Sequence, residues 1–360
     1  MLKLNRLGIV LRPADDQPYT VAKFNAGMTL VDDVVHMVYR YTEWRSEFDP
    51  ATQSNYAVDE TRTARLTPHG AVLFDSNRTL LAPSEPWDAS GCQDARVIPF
   101  EGAYYLVYCG WDKDVAPAGQ DRARVGIART DDFITAEKLG FVDHYTWDKD
   151  AFIFPERING KIAYVHRVSP NIQIDYFDSF EELLDLRNWA DYEQRVEAST
   201  VLRAAFSWEC GKVGGSVPPI RTEDGWLLIY HAVETFPDRP FSWQEAAVAS
   251  QDREKAAELF AAQPFIYRAG AALLDAANPS QVIARLPYPI LEPEEDYELY
   301  GDVGNVVFPA GGYVYDGDLY VSYGAADRCV ALAKAPLEEL LAELKKHPVV
   351  SGRGSTSISG

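Results

Sequence analysis

The residues of this chain best suited to chemistry are acids and amides that each lead into an apolar, strand-like run, together with cations at the ends of the same runs. Asp94 precedes ARVIPFEGAYYLVYCGWD, Asp150 precedes AFIFPERINGKIAYVHR, and Asn25 stands just ahead of MTLVDDVVHMVYR. The Gly214-Gly215-Ser216 stretch enters SVPPIRTEDGWLLIYHAV, and Asn305 opens NVVFPAGGYVYDGDLYVSYGAAD. Arg40, Arg96, Arg124, Lys149, His166, Arg167 and His231 lie at the ends of these runs. Arginines and lysines converging on one pocket would hold a phosphate-like oxyanion, arginine bidentately. An aspartate among them could supply a proton. Asp94 is the catalytic candidate; at Asp150 an aspartate satisfying backbone N–H groups at a strand entry reads as well. Tyr41, Trp44, Tyr105, Trp111, Tyr230, Tyr297 and Tyr300 could form sugar platforms, and Glu298 and Asp327 could accept from sugar hydroxyls. Singly, such aromatics are ordinary strand residues.

A shared axis would bring these positions together. The five runs form an internal repeat: a short apolar strand, a tight turn, then a second strand rich in Tyr, Val and Leu. The turns read Asp32-Asp33, Glu101-Gly102, Asn159-Gly160, Asp224-Gly225 and Asp316-Gly317. Asn-Gly and Asp-Gly between such runs signal hairpins, because a type I′ turn needs positive φ at both central residues. A third strand-like stretch follows each hairpin: TRTARLT, RVGIARTDDF, IQIDYFDSF, YRAGAALLD and CVALAKAPL. No unit buries both its faces alone, whereas stacking around an axis closes the core. The expected fold is all-β, a five-bladed β-propeller over residues 1–350, with short accessory helices over 251–263 and 336–346 and a flexible tail over 351–360. A β-sandwich is the alternative.

Composition narrows the partners. With 34 Lys+Arg against 54 Asp+Glu, the net charge of −20 disfavours nucleic acid and anionic membrane, which need a basic footprint. Four separated cysteines without a CxxC and no clustered histidines disfavour a zinc site or a disulfide framework, so free thiols and no bound metal are expected. No apolar run reaches the ~18 residues of a membrane span, and the N-terminus does not read as a signal peptide. The expectation is a soluble cytoplasmic protein, with a homo-oligomer left open.

Several stretches resemble glycoside hydrolase family 130. GCQDARVIPFEGAYYLVYCGWD is similar to that family's GxEDPR…YYLxYT element, and KDAFIFPERINGKIAYVHR to its KDAxLFPxKINGKYxxxHR. WECGKVGGSVPPIRTEDGWLLIYHAV is similar to KxGxGxPPIxTxxGWLxIYHGV, and GDVGNVVFPAGGYVYDGDLYVSYGAAD to VxNVVFPxGxxxxxDxLxxYYGAAD. The resemblance implies a five-bladed propeller acting on β-mannosides, in most members an inverting phosphorylase releasing α-mannose 1-phosphate and in some a β-1,2-mannosidase. It implies Asp94 as general acid, its proton passing through the 3-hydroxyl of the mannose. By the same resemblance Arg124, Lys149, His166 and Arg167 lie in stretches that carry phosphate-site groups, and Asp327 would hold mannose hydroxyls. Together with the positions read from the repeat, Arg40 and Arg96 complete the expected phosphate site and Asn25, Asp150, His231 and Glu298 the expected sugar site. The chain departs from the family where Glu-Asp-Pro-Arg is Gln93-Asp94-Ala95-Arg96, which removes a negative charge beside the acid. Asn25-Ala26-Gly27 also departs, and Arg62 and Arg65 compete for one arginine position.

Mechanism separates the readings. An inverting hydrolase needs two carboxyl groups ~6.5–9.5 Å apart, one to deprotonate water. A phosphorylase needs one acid, since phosphate is already an anionic nucleophile that cations hold in line. One aspartate with a basic set favours phosphorolysis, with inorganic phosphate as co-substrate, a small carbohydrate as substrate and no organic cofactor. The alternatives are an inverting β-mannosidase with Glu209, Glu234 or Glu298 as base, a propeller of the arabinanase and fructosidase type, and a non-catalytic sugar-binding propeller. The acceptor sugar has no readable motif.

Overall fold

The computed structural model describes residues 1–14, 21–49, 54–112, 122–144, 146–238 and 263–349. Among these, five antiparallel blades follow one another along the chain. Blade 5 is closed by the N-terminal strand β1 (Asn5–Leu11). Blade 1 is β2 (Val21–Val31), β3 (Val34–Asp49), β4 (Ser54–Leu66) and β5 (Val72–Leu81); blade 2 is β6 (Gly91–Phe100), β7 (Ala103–Asp112), β8 (Arg122–Thr130) and β9 (Glu137–Val142). Blade 3 is β10 (Asp148–Ile153), β11 (Ile162–Val168), β12 (Ile172–Phe177) and β13 (Thr200–Leu202). Blade 4 splits its inner strand into β14 (Lys212–Gly215) and β15 (Ile220–Thr222), followed by β16 (Gly225–Thr235), β17 (Phe265–Leu274) and β18 (Val282–Arg285). Blade 5 is β19 (Val307–Tyr315), β20 (Asp318–Ala325), β21 (Cys329–Pro336) and β1, which pairs with β21. The fourth strands were not visible as a repeat in the sequence.

Turn chemistry sets the hairpins. Asp32, Asp33, Glu101, Asn159 and Asp316 all adopt positive φ between 47° and 60°, as the I′ geometry demands. The fourth hairpin differs from expectation: its turn residues are Glu223 and Asp224, and Gly225 already pairs with Thr222. Gly225 has φ 137°, and a Cβ there would lie 2.3 Å from the Leu274 carbonyl oxygen, so close strand approach explains this glycine.

The core lies between blades. Ile98, Val125, Phe152, Val165, Val213 and Trp226 join blades 2, 3 and 4. Val217, Leu227, Val307 and Val321 join blades 4 and 5. Met28, Met37, Tyr313 and Tyr320 join blades 5 and 1, and Val38, Val97 and Leu106 join blades 1 and 2. Both faces of each blade are therefore apolar, the pattern stacking requires.

The expected C-terminal helix is present as Leu337–Lys345, burying Leu340, Leu341 and Leu344. The helix expected over 251–263 falls outside the described residues except at Gln263, as do the 351–360 tail and the Trp44 side chain. All four cysteines are free, and only Cys210 is exposed. Among the described residues no helix is long and apolar enough to cross a membrane.

Glu298 ties the closing strand to the ring. It sits in the short helix Asp296–Leu299, is fully buried, and accepts from Arg6 Nε at 2.8 Å, Arg6 Nη2 at 2.9 Å and the Tyr323 hydroxyl at 2.8 Å. Glu298→Ala strands these donors and should cost about 3 kcal/mol of stability, read as a fall in melting temperature.

Candidate active site

The inner strands share one local distortion. The pairing register slips between Phe24 and Gly27, between Gln93 and Arg96, and between Lys149 and Phe152. At these slips Asn25, Asp94 and Asp150 adopt φ of 47°, 54° and 57°, and Asn305, just ahead of β19, has φ 56°. These bulges leave one residue unpaired and re-aim its side chain. Asn and Asp tolerate the left-handed region better than other non-glycine residues, which explains their recurrence at this point of each repeat. Blade 4 carries Gly215-Ser216 instead.

A cavity of about 230 Å³ opens at this end of the axis. On one side Asp94 accepts from Asn25 Nδ2 at 2.9 Å and lies 3.6 Å from Arg40 Nη1. Asp327, also lining the cavity, has its carboxyl pushed up to about 7 by burial, with Asp94 adding to the shift and Arg40 opposing it. On the other side stand Lys149, Arg167, Lys212 and His231. Arg167 Nε donates to Asp150 Oδ2 at 2.6 Å. Burial would raise the Asp150 carboxyl, but the guanidinium groups of Arg167 and Arg96 hold it well below the usual carboxylate range. Lys149 Nζ lies 4.4 Å above the Trp111 ring, and Lys212 Nζ 5.3 Å from the Tyr267 ring centre. Burial, reinforced by Arg167 and Lys149, lowers the Lys212 ammonium to about 7. His231 is lowered to about 3 by burial, with Arg167 and Lys212 adding to it, so it stays neutral; its Nδ1 lies 3.0 Å from Ser216 Oγ and its ring packs on Phe308. This wall is a concentration of positive charge and hydrogen-bond donors, and among the described residues lining the cavity Asp150 is the carboxylate bonded to it.

The cavity thus gathers Asn25, Arg40, Asp94, Lys149, Asp150, Arg167, His231 and Asp327 from the sequence-derived set. Four others lie elsewhere. Arg96 is 1% exposed and lies between the blades, its three nitrogens bonded to the carbonyls of Asp94, Ser216 and Gly215 and to Asp150. Arg124 is on the third strand of its blade, farther from the axis, and pairs with Asp112 and Asp143. Glu298 holds the closing strand. His166 neighbours Arg167 on β11, and alternation along a strand turns it to the opposite face. There Nδ1 lies 2.8 Å from Asp148, and Nε2 3.0 Å from Asp175 and 2.9 Å from the Tyr192 hydroxyl. His144, Asp148 and His166 fall within metal-ligand spacing of one another, and hydrogen bonds to Asp148 already satisfy the facing ring nitrogens.

Lys212, Tyr267 and Phe308 were not singled out from sequence. Lys212 had a signal, as the lysine two residues before the Gly-Gly of its motif. The aromatics had none, being two among many in strands. The aromatic platforms expected at Tyr41, Tyr105, Tyr230, Tyr297 and Tyr300 do not line the cavity; Tyr105 stacks on Phe180 and Tyr230 donates to Glu209.

Burial lowers the proton affinity of His166, but Asp148 and Asp175 outweigh it and push it up to about 9. A histidine raised above its unfolded value near ~6.5 contributes stability in full below that pH and loses it as pH rises through about 9. The stability gap between wild type and His166→Gln should therefore be widest below about 6.5 and narrow toward 9, as measured by denaturant unfolding across that window.

The chain matches the family described as beta-1,4-mannooligosaccharide phosphorylase, glycoside hydrolase family 130, over residues 12–346. It is 31% identical over 344 residues to a 1,2-beta-oligomannan phosphorylase of Thermoanaerobacter sp. (strain X514), covering 94% of this chain and 99% of that protein. It is 32% identical over 273 residues to a beta-1,2-mannobiose phosphorylase of Listeria innocua, covering 74% and 64%. In three dimensions it superposes on the Listeria innocua beta-1,2-mannobiose phosphorylase solved with beta-1,2-mannobiose, with a TM-score of 0.72 at 24% identity, covering 96% of this chain and all of that one.

Proposed function

Since the chain belongs to glycoside hydrolase family 130, we propose that its axial cavity is the active site of an inverting β-mannoside phosphorylase. The observation that carries this reading is the wall formed by Lys149, Arg167, Lys212 and neutral His231, facing Asp94 and Asp327 across one hollow. Inorganic phosphate bound to that wall places an oxygen against the anomeric carbon of a β-mannosyl unit. The carbon–phosphate oxygen bond forms from the α face as the bond to the leaving sugar breaks. Asp94 supplies the proton that the leaving oxygen takes, and the products are α-mannose 1-phosphate and a saccharide one unit shorter. The cations hold the nucleophile in line and offset its charge, which is positioning and electrostatic work.

Hydrolysis would need a carboxylate base on the far side of the sugar from Asp94. Glu209 is engaged by Arg285 and Tyr230, Glu234 by Arg268 and Glu298 by Arg6, and none lines the cavity. Asp150 is committed to Arg167 and Arg96, and Asp327 feels Arg40, Asp94, Asp302 and Lys149 together. The phosphate-site assignment shifts with the geometry: Lys149, Arg167, Lys212 and His231 are proposed to hold phosphate, whereas Asn25, Arg40 and Asp327 face the sugar.

Arg167→Ala and Lys212→Ala should each lower phosphate-dependent turnover by roughly 100-fold or more while saccharide binding persists. Asp94→Asn should abolish turnover. The assay is release of mannose 1-phosphate from β-1,2- and β-1,4-mannobiose, and phosphate release in reverse synthesis from α-mannose 1-phosphate across acceptors. Cleavage that proceeds without phosphate and is indifferent to its addition would establish the hydrolase instead.

A further inference from the structure

We propose that Gln93 and Asp59 are positioning residues that set the charge felt by Asp94, by fixing how the Arg40 guanidinium is shared between two carboxylates. The inference rests on Asp94 being the proton donor.

Asp59 is 3% exposed, at the point where blades 1 and 2 touch through a single parallel bridge to Gly91. Arg40 grips it in a fork, Nε to Oδ1 at 2.9 Å and Nη2 to Oδ2 at 3.1 Å. The Thr42 hydroxyl donates to Oδ1, and the buried Gln93 amide donates to Oδ2 at 2.6 Å. A carboxylate offers about four acceptor sites, and these four donors occupy them. Asp59 thereby pairs with Arg40 one for one.

That leaves Arg40 Nη1, which approaches Asp94 only to 3.6 Å, while the 2.9 Å hydrogen bond to Asp94 comes from the neutral amide of Asn25. A guanidinium not already compensated would rotate into a charge-assisted contact with Asp94 and hold it as carboxylate, the wrong state for an acid. Residue 93 decides the matter, because an amide can donate to Asp59 and a carboxylate cannot. A glutamate at 93 would set acceptor against acceptor and add a second negative charge beside Arg40. The departure from Glu-Asp-Pro-Arg thus has a structural counterpart in Asp59. The other titratable groups near Asp94 are Asp327 beside it, Lys149 and Asp150 across the cavity, and Cys109 on the neighbouring strand, with Arg96 on the same strand bonded to the Asp94 carbonyl. Among the described residues none of them makes a side-chain hydrogen bond to Asp59 or Gln93, whose own bonds run to Arg40, Thr42 and each other, so exchanging these two side chains removes no contact of theirs.

The test is the pH dependence of kcat/KM for wild type, Asp59→Asn, Gln93→Glu and the double exchange Asp59→Asn/Gln93→Glu, with melting temperature recorded for each. Asp59→Asn should move the alkaline limb down by about one pH unit or more, and Gln93→Glu should move it up. The double variant, which carries one carboxylate and one amide in exchanged places, should return the limb close to wild type. A structural role alone would lower melting temperature and leave the limb where it was, and that result overturns the proposal, as does a double variant that does not recover. If Asp59→Asn does not fold, Gln93→Glu and the double variant still decide. The limb is read on whatever cleavage the wild type performs, so loss of phosphate dependence in the wild type would sink the phosphorylase reading without touching this one.

Discussion

The axial site depends on burying several full charges in a small volume and giving each of its arginines a partner of opposite charge or a set of carbonyl acceptors. An ion moved from water into a protein interior carries a desolvation penalty of several kcal/mol unless partners meet it with good geometry. Arg96 is the centre of this arrangement. It is nearly inaccessible, yet its guanidinium joins the Asp94 carbonyl of blade 2, Asp150 of blade 3 and two carbonyls of blade 4, and lies 5.4 Å from the Phe308 ring of blade 5. Four of the five blades are thus registered by one side chain. The residues lining the cavity inherit their positions from that packing.

Around it the charges form two compensated groups with a gap between them. Asp59 neutralises Arg40 beside Asp94, and Asp150 neutralises Arg167 on the opposite wall. Beyond these pairs, Lys149 and Lys212 stand over aromatic rings, with no carboxylate ion pair among the described residues. Positive charge left without a carboxylate in a half-buried hollow favours an anionic ligand, and this happens in a chain whose overall charge is −20. Local compensation and not the global field decides what can bind. The neutral imidazole of His231 fits the same logic, since protonating it beside Arg167 and Lys212 would add a third cation to a desolvated cluster.

The left-handed bulge links this chemistry to the fold. A regular inner strand would alternate its side chains between the two blade faces, and both faces are apolar here. Slipping the register at Asn25, Asp94 and Asp150 frees one polar side chain per blade from that alternation and presents it to the axis. Asp94 and Asp150 sit at equivalent places yet meet different partners: a neutral amide for the first, an arginine for the second.

Much of this was legible in the chain itself. The hairpin dipeptides and the alternation of apolar runs determined five units, and the polar residue entering each first strand was readable as an axial position. Local rules suffice for both, since turns and pleats depend on near neighbours. What the tertiary structure decided was direction and pairing. His166 and Arg167 are adjacent in sequence, and only the orientation of β11 sends one to Asp148 behind the blade and the other to the cavity. Arg124 and Glu298 looked equivalent to the site cations and acids until their distances from the axis were known. Lys212 became a cavity residue through the packing of β14 against blade 3, and Gln93 acquired its significance from Asp59, 34 residues away. Charge compensation acts across blades between residues far apart along the chain, so no reading of local pattern could have paired them.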